Sequence, residues 1–212
     1  MKNKTTELVC PSCNAAGAKE IQNRICIRNN MNRKQDILTG AFFEWECPEC
    51  SNRFFIKNPF LYNDSEHKFM VYYIPDYKEI SHKVPTIIKT KKEYDTQSST
   101  LRIATNYVDF VEKIRILESG LDDRIIETVK LLYSKLTLQE TGESVYSMVF
   151  ESLSSDNDLR FAVFLNEKDF EASIPYAVYE KTRDDFAHLF SDETHEAFTV
   201  IGQHWVSEKL TK

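Results

Sequence analysis

Cys10-Pro11-Ser12-Cys13 and Cys47-Pro48-Glu49-Cys50 are the stretches on which the reading of the whole chain turns. Each sets thiols at i and i+3 of a tight turn, and a proline inside each pair stiffens it. Together they offer four soft ligands, the donor set that Zn²⁺ takes in tetrahedral structural sites. Cys10, Cys13, Cys47 and Cys50 are therefore the expected metal ligands, with one structural zinc ion per chain. A redox dithiol is the competing reading. It calls for Cys-x-x-Cys at the start of a helix, whereas both pairs here are flanked by strand-like sequence. Four protein thiolates also leave no open position for water or substrate, so the site reads as a scaffold and not an active centre.

Outward from the first pair, residues 19–28 place Ile21, Ile25 and Ile27 on one parity, as in a half-buried strand. A polar tip follows at 29–36. A second strand is expected over 37–46, with Ala41, Phe43 and Trp45 on one side, and a third over 53–56. Two cysteine turns on a small antiparallel sheet make a zinc ribbon, and Phe43 and Trp45 are its expected core. Asn58-Pro59 and Asn63-Asp64-Ser65 are turn signals. Residues 68–74 form a further strand, ended by Pro75.

From 76 to 100 the composition shifts to Lys, Ser, Thr and Tyr, which marks a long connection with a short strand near 86–89. Beyond it, Asn106 caps a helix with Asp109 three residues on, and Tyr107, Phe110, Val111, Ile114 and Leu117 recur at helical spacing. Ser119-Gly120 ends this helix. A second runs from about Asp122 with Ile125, Val129, Leu132 and Leu136 on one face, giving an antiparallel helical hairpin. Residues 145–150 and 159–165 read as a β-hairpin. Ser173 can cap a helix reaching residue 190, with Pro175 in its first turn. Residues 198–201 read as a strand, and a short helix surrounds Trp205.

The expected class is thus α+β. It comprises a zinc-ribbon-like β domain at 6–75, a connecting segment at 76–100, a helical hairpin at 101–140 and a C-terminal α+β segment at 141–212. Five glycines in 212 residues, with no G-x-G-x-x-G or G-x-x-x-x-G-K-[ST], argue against glycine-rich phosphate loops. Residues 1–7 lack the apolar core of a signal peptide, and the longest apolar run, 69–74, is far too short to span a bilayer. A cytoplasmic protein with no membrane partner is expected, and there thiols stay reduced.

The net charge of −6 is uneven. Residues 1–57 carry nine Lys/Arg against six Asp/Glu, and the rest is acidic. Four thiolates around Zn²⁺ take that first segment down by two, so no strongly basic face remains. The candidate contact residues for nucleic acid or a protein partner are Arg28, Arg33 and Lys34 at the tip. The acidic remainder opposes a phosphate backbone. Cys26 lies between two arginines and is read as an ordinary small strand residue, with a reactive thiol as the alternative. The five histidines are scattered. An enzyme site would have to gather Asp184, Asp185, His188 and His195, and no G-x-S-x-G elbow is present.

Two Cys-Pro-x-Cys motifs, a Phe-rich strand and then LRIATNYVDFVEKIRILESGLDDRIIETVK at 101–130 resemble the bacterial CpXC-domain proteins over roughly residues 6–136. The resemblance implies that the family's cysteines are Cys10, Cys13, Cys47 and Cys50. It supports zinc and fold and implies no activity. Many such turns place Gly after the second cysteine; Asn14 and Ser51 stand there in this chain. The resulting expectation is a zinc-stabilised, non-enzymatic binding or adaptor module for a protein partner. A nucleic-acid-binding ribbon and an enzyme with a site in the acidic C-terminal half are the alternatives.

Overall fold

In the computed structural model, which describes residues 4–77, 99–190 and 198–211, the protein is mixed α+β. Its centre is a four-stranded sheet of β3 (Arg24–Cys26), β6 (Phe60–Asp64), β7 (Phe69–Tyr73) and β8 (Thr100–Ala104), in that spatial order. β6 and β7 are antiparallel, while β3 and β8 join the outer edges in parallel. Period-two alternation splits the side chains of this sheet between two apolar layers. Phe60, Tyr62, Phe69, Val71 and Tyr73 face one layer, and Leu61, Met70, Tyr72, Leu101 and Ile103 the other. Burial on both faces explains why β6 and β7 read as continuous apolar runs.

Helix α2 (Tyr107–Glu118) lays Phe110, Val111 and Ile114 on the first layer. Asn106 caps it as expected: its side-chain oxygen accepts from the Asp109 amide at 2.9 Å. Helix α3 (Asp123–Thr141) follows after a four-residue turn, capped by Asp122 and closed by Gly142 in the left-handed region. A second core joins Ile116, Leu121, Ile125, Ile126 and Val129 to a three-stranded antiparallel sheet. That sheet is β9 (Val145–Leu153), β10 (Leu159–Leu165) and β11 (Asp169–Ile174), with β10 in the middle. Helices α4 (Tyr176–Phe186) and α5 (Gln203–Leu210) close this half, with Tyr179, Phe190 and Trp205 packing inward.

The N-terminal region holds two separate antiparallel ribbons, β1 (Lys4–Val9) with β2 (Ala16–Ile21), and β4 (Glu44–Glu46) with β5 (Arg53–Phe55). Several sequence expectations are corrected here. Residues 19–28 are not one strand: β2 ends at Ile21, and β3 belongs to the central sheet. The strand expected over 37–46 is replaced by helix α1 (Lys34–Thr39), a turn at Gly40 and a 3-10 turn, Ala41–Phe43, before β4 begins. Gly40 takes φ +90°, and a Cβ there would meet the Tyr107 hydroxyl at 3.4 Å, so the reversal depends on glycine. The turn breaks parity. Phe43 therefore enters the main core against Phe60, Tyr73 and Phe110, while Trp45 packs by the cysteines.

Ser173 lies in β11, donates to Asp158, and leaves the N-cap of α4 to Pro175. Of the strand expected at 198–201 there is a single parallel bridge, Arg102 to Thr199. The strand expected near 86–89 falls outside the described residues.

Gly17 of β2 stands against the edge of the Trp45 indole, where a Cβ would come within 2.6 Å of Cζ2. Gly17→Ala is expected to lower unfolding free energy by about 1–3 kcal/mol through overpacking. The measurement is the urea midpoint at unchanged slope, and an unmoved midpoint would show that the ring shifts without cost.

Candidate metal centre

Cys10 and Cys13 occupy the loop between β1 and β2, and Cys47 and Cys50 the loop between β4 and β5. The two loops share one backbone pattern. The Asn14 amide donates to the Cys10 carbonyl at 2.9 Å, and the Ser51 amide to the Cys47 carbonyl at 3.0 Å. The Cys10 and Cys47 amides in turn donate to the carbonyls of Ala15 and Asn52, each at 2.9 Å. Asn14 and Ser51 both adopt left-handed backbone, φ 58° and 56°, where glycine is the unstrained residue. Asparagine tolerates that region better than serine does.

The two loops meet so that all four sulfurs lie within 4.8 Å of one another. Cys10 to Cys50 and Cys13 to Cys47 are each 3.6 Å, Sγ to Sγ. A Zn–S bond of about 2.3 Å gives a tetrahedron edge of about 3.8 Å, so these separations suit a tetrahedral ion. The four cysteines could hold a metal ion. Cys10 and Cys47 are buried against Trp45, with Leu8, Phe54 and Ile56 around them, whereas Cys13 and Cys50 reach the surface.

The thiols also influence one another. Burial raises Cys10, but the Cys13 and Ser12 amides and the thiols beside it more than offset this and bring it to about 7. The Ala15 amide lowers Cys13, yet burial and the three neighbouring sulfurs carry it up to about 12. Cys50 is likewise raised, the Asn52 amide being outweighed by burial and the sulfurs of Cys10 and Cys47. One sulfur ionises at the expense of the others. A bound cation would remove that conflict, since thiolates are its ligands.

The ribbons are tied to the body by Lys19 of β2, whose ammonium donates to the carbonyls of Phe42, at 3.1 Å, and Glu44. Burial lowers its pKa, partly countered by the Glu44 charge. Arg28 and Arg33 lie exposed on consecutive 3-10 turns, and Lys34 opens α1. Arg33 faces Asp36 at 3.8 Å, and Lys34 bonds Glu118 at 2.8 Å. Cys26 is half-buried at the end of β3.

The acidic candidates are not gathered into a site. Asp184 pairs with Arg183 and Asp185 with Lys181, all on the exposed side of α4. His188 is exposed on the following 3-10 turn, and His195 falls outside the described residues.

A second cluster of chemistry escapes the sequence reading altogether. Asp123 takes three hydrogen bonds of 2.8–3.0 Å from Arg102 and a 3.3 Å contact from Lys113. Lys113 also bonds Glu127 at 2.8 Å, Glu127 meets Lys130 at 3.1 Å, and Lys130 meets Glu112 at 2.9 Å. All six side chains are buried. Three cations balance three anions, and each group has partners. The cluster is a structural network, bordered at its Arg102–Asp123 end by an open pocket of about 220 Å³ that Leu117, Gly120, Leu121 and Arg124 also line.

A family model described as CpXC protein matches residues 8–130. No curated protein and no solved structure matches the chain.

Proposed function

The chain belongs to the CpXC family, and from that premise we propose that it is a zinc-stabilised, non-enzymatic binding module for a protein partner. One observation carries this reading: four sulfurs from two matching loops converge at tetrahedral spacing. A site closed by four thiolates supports a zinc ribbon that shapes a surface, and it keeps no position for a reacting water. Cys10, Cys13, Cys47 and Cys50 hold the ion; the ion fixes the two ribbons relative to each other. Among the described residues no helix is long and apolar enough to cross a membrane.

The contact surface in this proposal is the turn segment at 28–33, where Arg28, Met31 and Arg33 are exposed side by side in sequence. An apolar side chain 60% exposed between two arginines suits an acidic protein surface with an apolar centre. Nucleic acid is the less favoured partner. Two of the three tip cations already engage carboxylates, and of the rings near Arg33, Phe43 is in the core and Phe42 is partly buried against it.

Affinity capture with the zinc-loaded full chain is expected to recover one stoichiometric protein, lost when Arg28, Met31 and Arg33 are all changed to Ser. Retention of that protein by the triple variant would place the contact elsewhere. A ligand that proved to be nucleic acid, with affinity falling steeply as salt rises, would reverse the choice of partner.

A further inference from the structure

The family-matched region ends at residue 130, and β9 begins fifteen residues later at Val145. Among the described residues β9 has one strand neighbour, β10, and its other edge carries no strand pairing. At that edge the amide of Phe150 donates to Glu112 Oε1 of α2 at 2.6 Å. The strand is distorted at this place. Arg160 faces Ser152 while Phe161 faces Phe150, so Glu151 is an extra residue without a partner opposite. Such a bulge re-aims the backbone around it. The Glu112 carboxylate also receives Lys130 of α3. One buried carboxylate thus joins α2, α3 and β9.

Packing gives the same result independently. Ile116, Ile125 and Val129 share one core with Met148, Phe150, Leu159 and Phe161. The Asp122 amide at the head of α3 donates to the Tyr179 hydroxyl at 2.9 Å, and Arg124 to the Phe190 carbonyl at 3.2 Å.

We infer that the face of α2 bearing Glu112 is a receptor for a strand edge, and that β9, from beyond the family-matched residues, is its resident partner. The helices of the family region and the C-terminal sheet therefore open and close together. Left bare, this face would expose a buried carboxylate and the apolar side chains around it, a surface that folded chains cover. Neither the metal nor the external partner takes part in this closure, which removes the Glu112 face of α2 from the surfaces available to that partner.

Hydrogen exchange on the full zinc-loaded chain tests it. Glu112→Ala removes the acceptor of the Phe150 amide, and about ten- to a hundred-fold faster exchange is expected in peptides from 107–130 and 145–165 alike. Met148→Ala, which acts from the β9 side without touching the carboxylate, is expected to speed the same two groups by a common factor. A variant that opened only its own group, with the other at parental protection, would overturn the inference. So would no change in either group from either variant.

Discussion

Cys47→Ser abolishes the stoichiometric metal of the full chain and unfolds its two N-terminal ribbons: that is the expected result of the most damaging single change. Structural zinc contributes apparent binding free energies of about 10–16 kcal/mol in isolated small domains at neutral pH. The ribbons have little else. Their shared core is Cys10, Trp45 and Cys47, with Leu8, Ala15, Phe54 and Ile56 at its edge, and two of those three central residues are proposed ligands. The body differs: the central sheet and the C-terminal sheet bury full apolar layers of their own. Loss of metal is therefore expected to be local. The two tryptophans separate the cases, because Trp45 packs beside the cysteines while Trp205 packs on Phe190. With one tryptophan left in each of two variants, Trp45→Phe and Trp205→Phe, chelation should red-shift the emission of Trp45 and leave that of Trp205 nearly unchanged. Metal analysis should give about one zinc per parental chain and none in Cys47→Ser. A buried Trp45 emission after complete chelation would mean that the ribbons stand without the ion.

What the sequence reveals is what short-range chemistry decides. The cysteine turns are legible from i, i+3 spacing, and α2 from Asn106, Asp109 and apolar residues at 3.6-residue intervals. The segment 34–43 misleads because α1 has only six residues, too few for a period, and Gly40 then reverses the chain. Strand β6 is hidden by Asn63 and Asp64, which look like turn residues. Asp64 in fact accepts the amides of Glu66 and His67 and meets the His67 ring at 2.8 Å, so its polarity is satisfied while buried. The charges on α2 and α3 are the least legible. Glu112, Lys113, Glu127 and Lys130 have the spacing of a solvated helix face, and only the arrival of β9 and β8 encloses them.

That enclosure makes Lys113 the second large lever. Its side chain is 2% exposed and stands between Glu127 and Asp123. Lys113→Met keeps most of the volume but leaves one negative charge in excess inside the protein, and breaking a buried pair this way costs about 3–5 kcal/mol. The pH dependence separates this from a packing defect. Burial pushes Asp123 up, but Arg102 and Lys113 outweigh it and hold the carboxyl well below the usual range. Glu127 is likewise raised by burial and brought below its ordinary value by Lys113 and Lys130. Carboxylates depressed in this way stabilise the fold fully above their unfolded values near pH 4, and that stability is lost as pH falls through the folded values. Glu112 moves the other way, because burial outweighs Lys130, so its own ionisation works against the fold as pH rises. Without Lys113, Asp123 and Glu127 take up protons more readily. The deficit of Lys113→Met in urea unfolding should therefore be greatest at pH 7 and shrink toward pH 4, as these carboxylates are neutralised. A deficit of equal size at both pH values would assign the loss to packing. Adding Glu127→Gln restores charge balance, leaving Arg102 with Asp123 and Lys130 with Glu112, so the double variant is expected to recover part of the stability that Lys113→Met loses at pH 7.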